Sequence, residues 1–80
     1  MFKNKNGSSL NICGQNVAKY RTMLTPKTSQ RMLADKLQLI GVDVDKNAIQ
    51  RIESGQRFVT DIELVALATA LNVSISDLLE

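Results

Sequence analysis

The sequence predicts an all-α fold, a compact bundle of about five short helices. Apolar residues recur at spacings of three and four along most of the chain, which is the period of an amphipathic helix. Residues that favour helix N-caps stand just before these segments, and no segment alternates polar and apolar residues for long enough to build a sheet. A chain of 80 residues with 44% apolar residues forms one domain, whose core must come from several small elements.

The chain divides into a short arm and one domain. Residues 1–10 are dominated by Asn, Lys, Gly and Ser, and we expect them to form a flexible polar arm ahead of a domain over residues 11–80. Lys3 and Lys5 of the arm could follow a phosphate backbone, or they could simply remain solvated.

Two helices are predicted in the first half of the chain. The first runs from about residue 14 to residue 24, and Pro26 ends it. The second spans about residues 30–40, with Ser29 as its N-cap. Gly41 stops this helix, because the position after a helix often needs a positive φ.

The third helix, predicted over about residues 46–54, has two chemically different faces. Asp45 caps its start, where the helix dipole favours a carboxylate, and Gly55 closes it. At about 100° per residue, the apolar face holds Ala48, Ile49 and Ile52, and the polar face holds Lys46, Asn47, Gln50 and Arg51. Lysine and arginine can donate to guanine, and asparagine and glutamine can both donate to and accept from adenine. The polar face therefore predicts a helix that reads DNA bases.

Two more helices are predicted after residue 59. Thr60 and Glu63 form a capping box that starts helix four, Asn72 ends it, and Ser74 with Asp77 caps a final turn. Helix four is apolar on nearly all sides, so we expect it to be the central core helix. Its apolar residues are Ile62, Leu64, Val65, Leu67, Ala68 and Leu71.

Charge is distributed unevenly along the chain, although the net charge is only +2. All ten Lys and Arg residues lie at or before Arg57, together with four acids, so residues 1–57 carry 10 − 4 = +6 and the last 23 residues carry −4. A polyanion would be attracted to the first part. The alternative is that several of these bases are only solvated charges.

Composition argues against an enzyme, a metal site, a cofactor and a membrane protein. No apolar run approaches the roughly 20 residues of a membrane span and no signal-peptide core is present, so we expect a cytoplasmic protein. Cys13 is the single cysteine, and the chain has no histidine to activate it as a nucleophile. Asp43, Asp45 and Asn47 match the start of a calcium loop, but Ala48 stands where that loop needs glycine.

The segments SQRMLADKL and NAIQRIESGQR together resemble the helix-turn-helix of the Cro and phage-repressor family, also called Xre-like. DIELVALATALNVSISDLL resembles the fourth and fifth helices of the same family, so the similarity extends over about residues 12–80. The resemblance implies a lambda-repressor-like DNA-binding domain in which the helix over residues 46–54 is the recognition helix.

The resemblance also implies roles for individual residues. Lys46, Asn47 and Arg51 occupy positions that contact bases in the major groove, and Gln30 occupies one that contacts a neighbouring phosphate. Gln50 is a further base-reading candidate.

Other phosphate contacts are expected at two places. Ser29 and Gln30 begin the second helix, where free N–H groups and the helix dipole favour an anion. Gln56 and Arg57 follow the recognition helix at a point where the family touches the DNA backbone. Lys27 is a further candidate, and each of these bases could equally be a solvated charge.

Arg21 and Glu53 are implied by the resemblance to form a structural ion pair that ties helix one to the recognition helix. One spacing departs from the family pattern. Gln30 and Ile49 lie 19 positions apart, about five more than in compact members, so helix two must be longer, the turn must be longer, or both. Residues 39–45 carry the excess.

We therefore expect a sequence-specific regulator of transcription that binds double-stranded DNA, acts as a repressor and is associated with the nucleoid. Because operators read by this family are commonly two-fold symmetric, we expect a homodimer formed through the C-terminal helices. No small-molecule effector is indicated. The alternative is a protein interaction module, such as the antitoxin of a toxin-antitoxin pair, that uses the same fold to hold a partner.

Overall fold

The computed structural model describes residues 9–80, and this part of the chain folds into five α-helices. In chain order they are α1 (Gly14–Met23), α2 (Gln30–Ile40), α3 (Lys46–Glu53), α4 (Asp61–Leu71) and α5 (Ile75–Leu79). The prediction of an all-α bundle of about five helices is confirmed. The predicted arm lies outside the described residues, except for Ser9 and Leu10.

Local side-chain caps determine where most of the helices begin. The Ser29 hydroxyl accepts from the Met32 N–H at the start of α2, and the Asp45 carboxylate accepts from the Ala48 N–H at the start of α3. The predicted capping box is present at the start of α4, and the predicted cap of Ser74 with Asp77 forms a second capping box at the start of α5. Gly41 ends α2 with a φ of 97°, as expected for a left-handed C-terminal residue.

The core lies where α1, α2, α3 and α4 meet, and α5 closes one end of it. It consists mainly of aliphatic side chains, and α3 enters it through Ile49 and Ile52, which have no exposed surface. Fully buried aliphatic partners come from every other helix and from the turn before α3. They are Val17, Leu33, Leu37, Val44, Leu67, Leu71 and Leu78. Burying one face of α3 in this way turns its opposite face to solvent.

Helix α4 differs from the sequence expectation, because only one side of it is buried. Ala66, Leu67 and Leu71 are buried, whereas Ile62 is 70% exposed and Val65 is 52% exposed. The helix packs against α1, α2 and α5 on one side, and no further element of residues 9–80 covers its outer side. A chain this short builds a single layer around its core, so an all-round apolar helix keeps an apolar face in solvent.

The segment from Gln30 to the start of α3 consists of the 11-residue α2 and a turn over residues 41–45. Helix α2 continues to Ile40, past its last buried residue Leu37, and Leu39 is 89% exposed. Residues 41–45 then form the turn, in which the buried Val44 packs into the core. The Val42 N–H donates to the Leu37 carbonyl at 2.9 Å, which fixes the direction in which the chain leaves α2.

None of the five helices in residues 9–80 has the length and apolarity that crossing a bilayer would require.

Candidate nucleic-acid interface

The outer face of α3 presents the four residues predicted to read bases. Lys46, Asn47, Gln50 and Arg51 are all exposed, while Ala48, Ile49 and Ile52 of the same helix are buried. Neither of the two ion pairs found within residues 9–80 involves Lys46 or Arg51. The helix itself ends at Glu53, with Ser54 as its C-cap, one residue earlier than the sequence indicated. A rigid helix thus carries donors and acceptors that face solvent.

An ion pair between Arg21 and Glu53 holds α3 to α1. Arg21 Nε and Glu53 Oε2 are 2.7 Å apart, Arg21 Nη2 lies 3.0 Å from Glu53 Oε1, and the two side chains are only 13% and 9% exposed. The remaining arginine nitrogen Nη1 donates to the carbonyl of the buried residue Thr28 at 3.1 Å. The paired arginine therefore ties together α1, the connector before α2, and the last turn of α3.

The start of α2 lies next to this ion pair. Gln30 is half-buried, and its Nε2 donates to Glu53 Oε1 at 2.9 Å, which leaves the second amide hydrogen and the carbonyl oxygen of its side chain for other partners. Ser29 is exposed, and its hydroxyl oxygen already accepts the N-cap bond but can still donate. Lys27 is exposed in the preceding connector.

The positively charged side chain of Arg57 is paired, rather than free, in this structure. Its Nη1 and Nη2 atoms form a fork with the Glu63 carboxylate at 2.8 Å and 2.9 Å, and Nη1 also donates to the Phe58 carbonyl at 3.0 Å. The hydrogen bond from Arg57 lowers the pKa of Glu63, and the same bond raises the pKa of Arg57. A phosphate would have to share this guanidinium with Glu63. The neighbouring Gln56 is exposed.

Asn11 joins the start of α1 to the end of α3, a role that the sequence analysis missed. Its Nδ2 donates to the carbonyls of Ile52 at 3.1 Å and Arg57 at 2.8 Å, and its Oδ1 accepts from the Gly14 N–H at 2.7 Å. The only local signal for this role was an asparagine just before a helix, which normally indicates no more than a cap.

Residues 9 and 10, which the sequence analysis assigned to the flexible arm, are attached to the domain. The Leu10 N–H donates to the Gly55 carbonyl at 2.8 Å. Next to them, burial raises the pKa of the Cys13 thiol, which agrees with a packing role for this residue. Among the residues that the structure describes, no three His, Cys, Asp or Glu side chains converge as metal ligands would.

Comparisons with known proteins agree with the five-helix fold. A family model described as helix-turn-helix matches residues 19–78. A solved structure of the restriction-modification controller protein C.AhdI from Aeromonas hydrophila superimposes with a TM-score of 0.68 and 32% sequence identity. The match covers 82% of this chain and 86% of the controller protein. No curated protein matches the chain significantly.

Proposed function

Because this chain belongs to the Cro/phage-repressor (Xre-like) helix-turn-helix family of non-enzymatic DNA-binding regulators, we propose that it binds duplex DNA sequence-specifically and represses transcription. The observation that carries this proposal is α3, whose apolar face is fully buried while its polar face is exposed. The helix is anchored by Ile49 and Ile52 and is held at its end by the Glu53 ion pair. A helix that is fixed in this way loses little backbone freedom on binding DNA.

Base reading is assigned to the exposed face of α3. Lys46 and Asn47 lie in its first turn, the part of a recognition helix that enters the major groove, and Arg51 lies one turn further along the same face. Gln50 is adjacent to them. Each good bidentate contact contributes about 1–3 kcal/mol of discrimination against a wrong base.

Phosphate contacts are assigned to two segments near α3. Lys27, Ser29 and Gln30 lie at or just before the start of α2, where the helix dipole favours an anion. Gln56 and Arg57 follow α3. Arg57 keeps its bond to Glu63 in this arrangement and offers its remaining N–H hydrogens to a phosphate.

A homodimer formed through the C-terminal helices would place two copies of α3 on successive half-sites. This part of the chain exposes Ile62 and Val65 on α4 and Ile75 and Leu79 on α5. Although the region is acidic, the charge of Glu63 is compensated by Arg57, which reduces repulsion between two copies. Sedimentation of the protein with and without DNA tests the dimer. Because the proposed partner is an operator, we place the protein in the cytoplasm, at the nucleoid.

The alternative is an interaction module, such as an antitoxin, that uses the fold to hold a protein. The exposed apolar side chains of α4 and α5 support this alternative. The exposed basic and amide side chains of α3, together with the likeness to a controller protein, favour DNA as the partner.

Selection of binding sites from randomised duplexes, repeated at several salt concentrations, tests the proposal. We expect one enriched motif, and we expect Asn47→Ala or Arg51→Ala to flatten the preference at one position each without unfolding the domain. Lys36→Ala is the matched control, because it removes an exposed charge from α2 without touching α3. Weak binding with no enriched motif would favour the interaction module instead.

A further inference from the structure

The loop that follows the recognition helix is held by the chain before α1. Residues 54–57 leave α3 in a Schellman arrangement, in which the Gln56 N–H donates to the Arg51 carbonyl and the Gly55 N–H donates to the Ile52 carbonyl. Asn11 adds a second donor to the Ile52 carbonyl and a bond to the Arg57 carbonyl. Its carboxamide therefore spans the loop, from the last turn of α3 to the loop's final residue.

Backbone packing shows that this junction is close and specific. A Cβ atom added to Gly14 would overlap the Ile52 carbonyl oxygen, and one added to Gly55 would overlap the Ser9 side chain. The Leu10 N–H also bonds to the Gly55 carbonyl. The segment over residues 9–14 thus packs directly on the backbone at the C-terminal end of α3.

We propose that Asn11 is a positioning residue for DNA binding, whose carboxamide holds the end of α3 and residues 54–57 in the geometry that contacts the DNA backbone. This inference rests on the proposed function, because it assumes that this loop faces a phosphate. Asn11 itself does not touch DNA. It acts through the Ile52 and Arg57 carbonyls, which fix the loop that carries Gln56 and Arg57.

The physical reason is preorganisation. With Asn11 in place, the loop is held at its backbone by the carboxamide and at its last side chain by the Arg57–Glu63 fork. Without the carboxamide, the Arg57 carbonyl loses its partner and the loop is held less firmly, so part of its ordering must occur when DNA binds, which costs affinity. We expect half-site affinity to fall about tenfold, equivalent to about 1.4 kcal/mol.

The chain offers a matched control in Asn16. This residue also donates its Nδ2 hydrogens to two main-chain oxygens, those of Leu78 and Glu80, both at 2.9 Å. It clamps the end of α5 rather than the end of α3. Asn11→Ala and Asn16→Ala each remove two bonds to main-chain oxygens, and Asn11→Ala also removes the acceptor for the Gly14 N–H. Only Asn11 lies at the proposed DNA-binding face.

The experiment measures the dissociation constant of each variant for a duplex with one half-site of the selected motif, so that dimer formation does not enter. Circular dichroism and urea titration identify conditions in which each variant is folded. Asn11→Asp is the second variant, since it keeps the acceptor for the Gly14 N–H and removes the two donors. Its control is Asn16→Asp, which adds the same charge.

We expect both Asn11 variants to bind the half-site about tenfold more weakly and both Asn16 variants to stay within about twofold of wild type. The loss of affinity in Asn11→Asp should persist at raised salt. If repulsion between the new carboxylate and the DNA were its only cause, salt would screen that repulsion and restore the affinity. Unchanged affinity in Asn11→Ala, or equal losses at Asn11 and Asn16, would overturn the role of Asn11 and leave the proposed function standing. A wild-type protein that binds no duplex would overturn both.

Discussion

Replacement of Gly14 by alanine tests the contact between α1 and the recognition helix. In an unobstructed helix, glycine to alanine is stabilising by up to about 1 kcal/mol. Here the new Cβ would overlap the Ile52 carbonyl oxygen, which is backbone and cannot rotate away. Overpacking typically costs about 1–3 kcal/mol, and a rigid obstacle favours the upper end, so we expect a net loss of about 2 kcal/mol.

Thermal unfolding measures this loss directly. For a domain of this size, 1 kcal/mol corresponds to about 4–8 °C in Tm, so Tm should fall by roughly 8–16 °C. Amide hydrogen exchange should become faster at residues 54–57 as well, because the carbonyl that the new methyl displaces belongs to the turn that fixes them.

Gly41→Ala is the control, because it makes the same chemical change at a different kind of position. Gly41 has a φ of 97°, and a Cβ added there would meet no atom within 4 Å. Its cost of about 1–2 kcal/mol therefore comes from backbone strain alone. Exchange at residues 54–57 should then stay as in wild type. A Gly14→Ala protein that is as stable as wild type, or more stable, would refute the packing argument.

Two further predictions concern the ion pairs. Glu53→Gln should lower the free energy of unfolding by roughly 1.5–3 kcal/mol in urea titrations, because it weakens charge-assisted bonds from Arg21 in a mostly buried pair. If both stability and DNA affinity were unchanged, Glu53 would have no structural role. Glu63 has a pKa lowered by Arg57, so its pair stabilises the fold above the ordinary glutamate pKa of about 4.3 and loses that effect as pH falls through the lowered value. Stability should therefore drop less between about pH 7 and pH 3 in Glu63→Gln than in wild type, and equal drops would contradict this linkage.

Short stretches of the sequence are enough to determine the helices and the face that α3 presents. Caps at Ser29, Asp45 and Thr60 act on N–H groups three residues away, so their effect is visible in a few consecutive letters. The two faces of α3 follow equally from the helical period, because burying Ile49 and Ile52 leaves the opposite side in solvent.

The packing of the helices determines which residues far apart in the sequence come into contact. Asn11 bonds to carbonyls 41 and 46 positions away, and no local pattern marks those acceptors. Arg57 is a candidate phosphate contact in the sequence, and only the fold shows that it pairs with Glu63. Ile62 is an apolar residue in the sequence, and only the fold shows that it is exposed to solvent. Caps and periodicity depend on neighbours within a turn or two, whereas burial and long-range hydrogen bonds depend on how the helices come together in three dimensions.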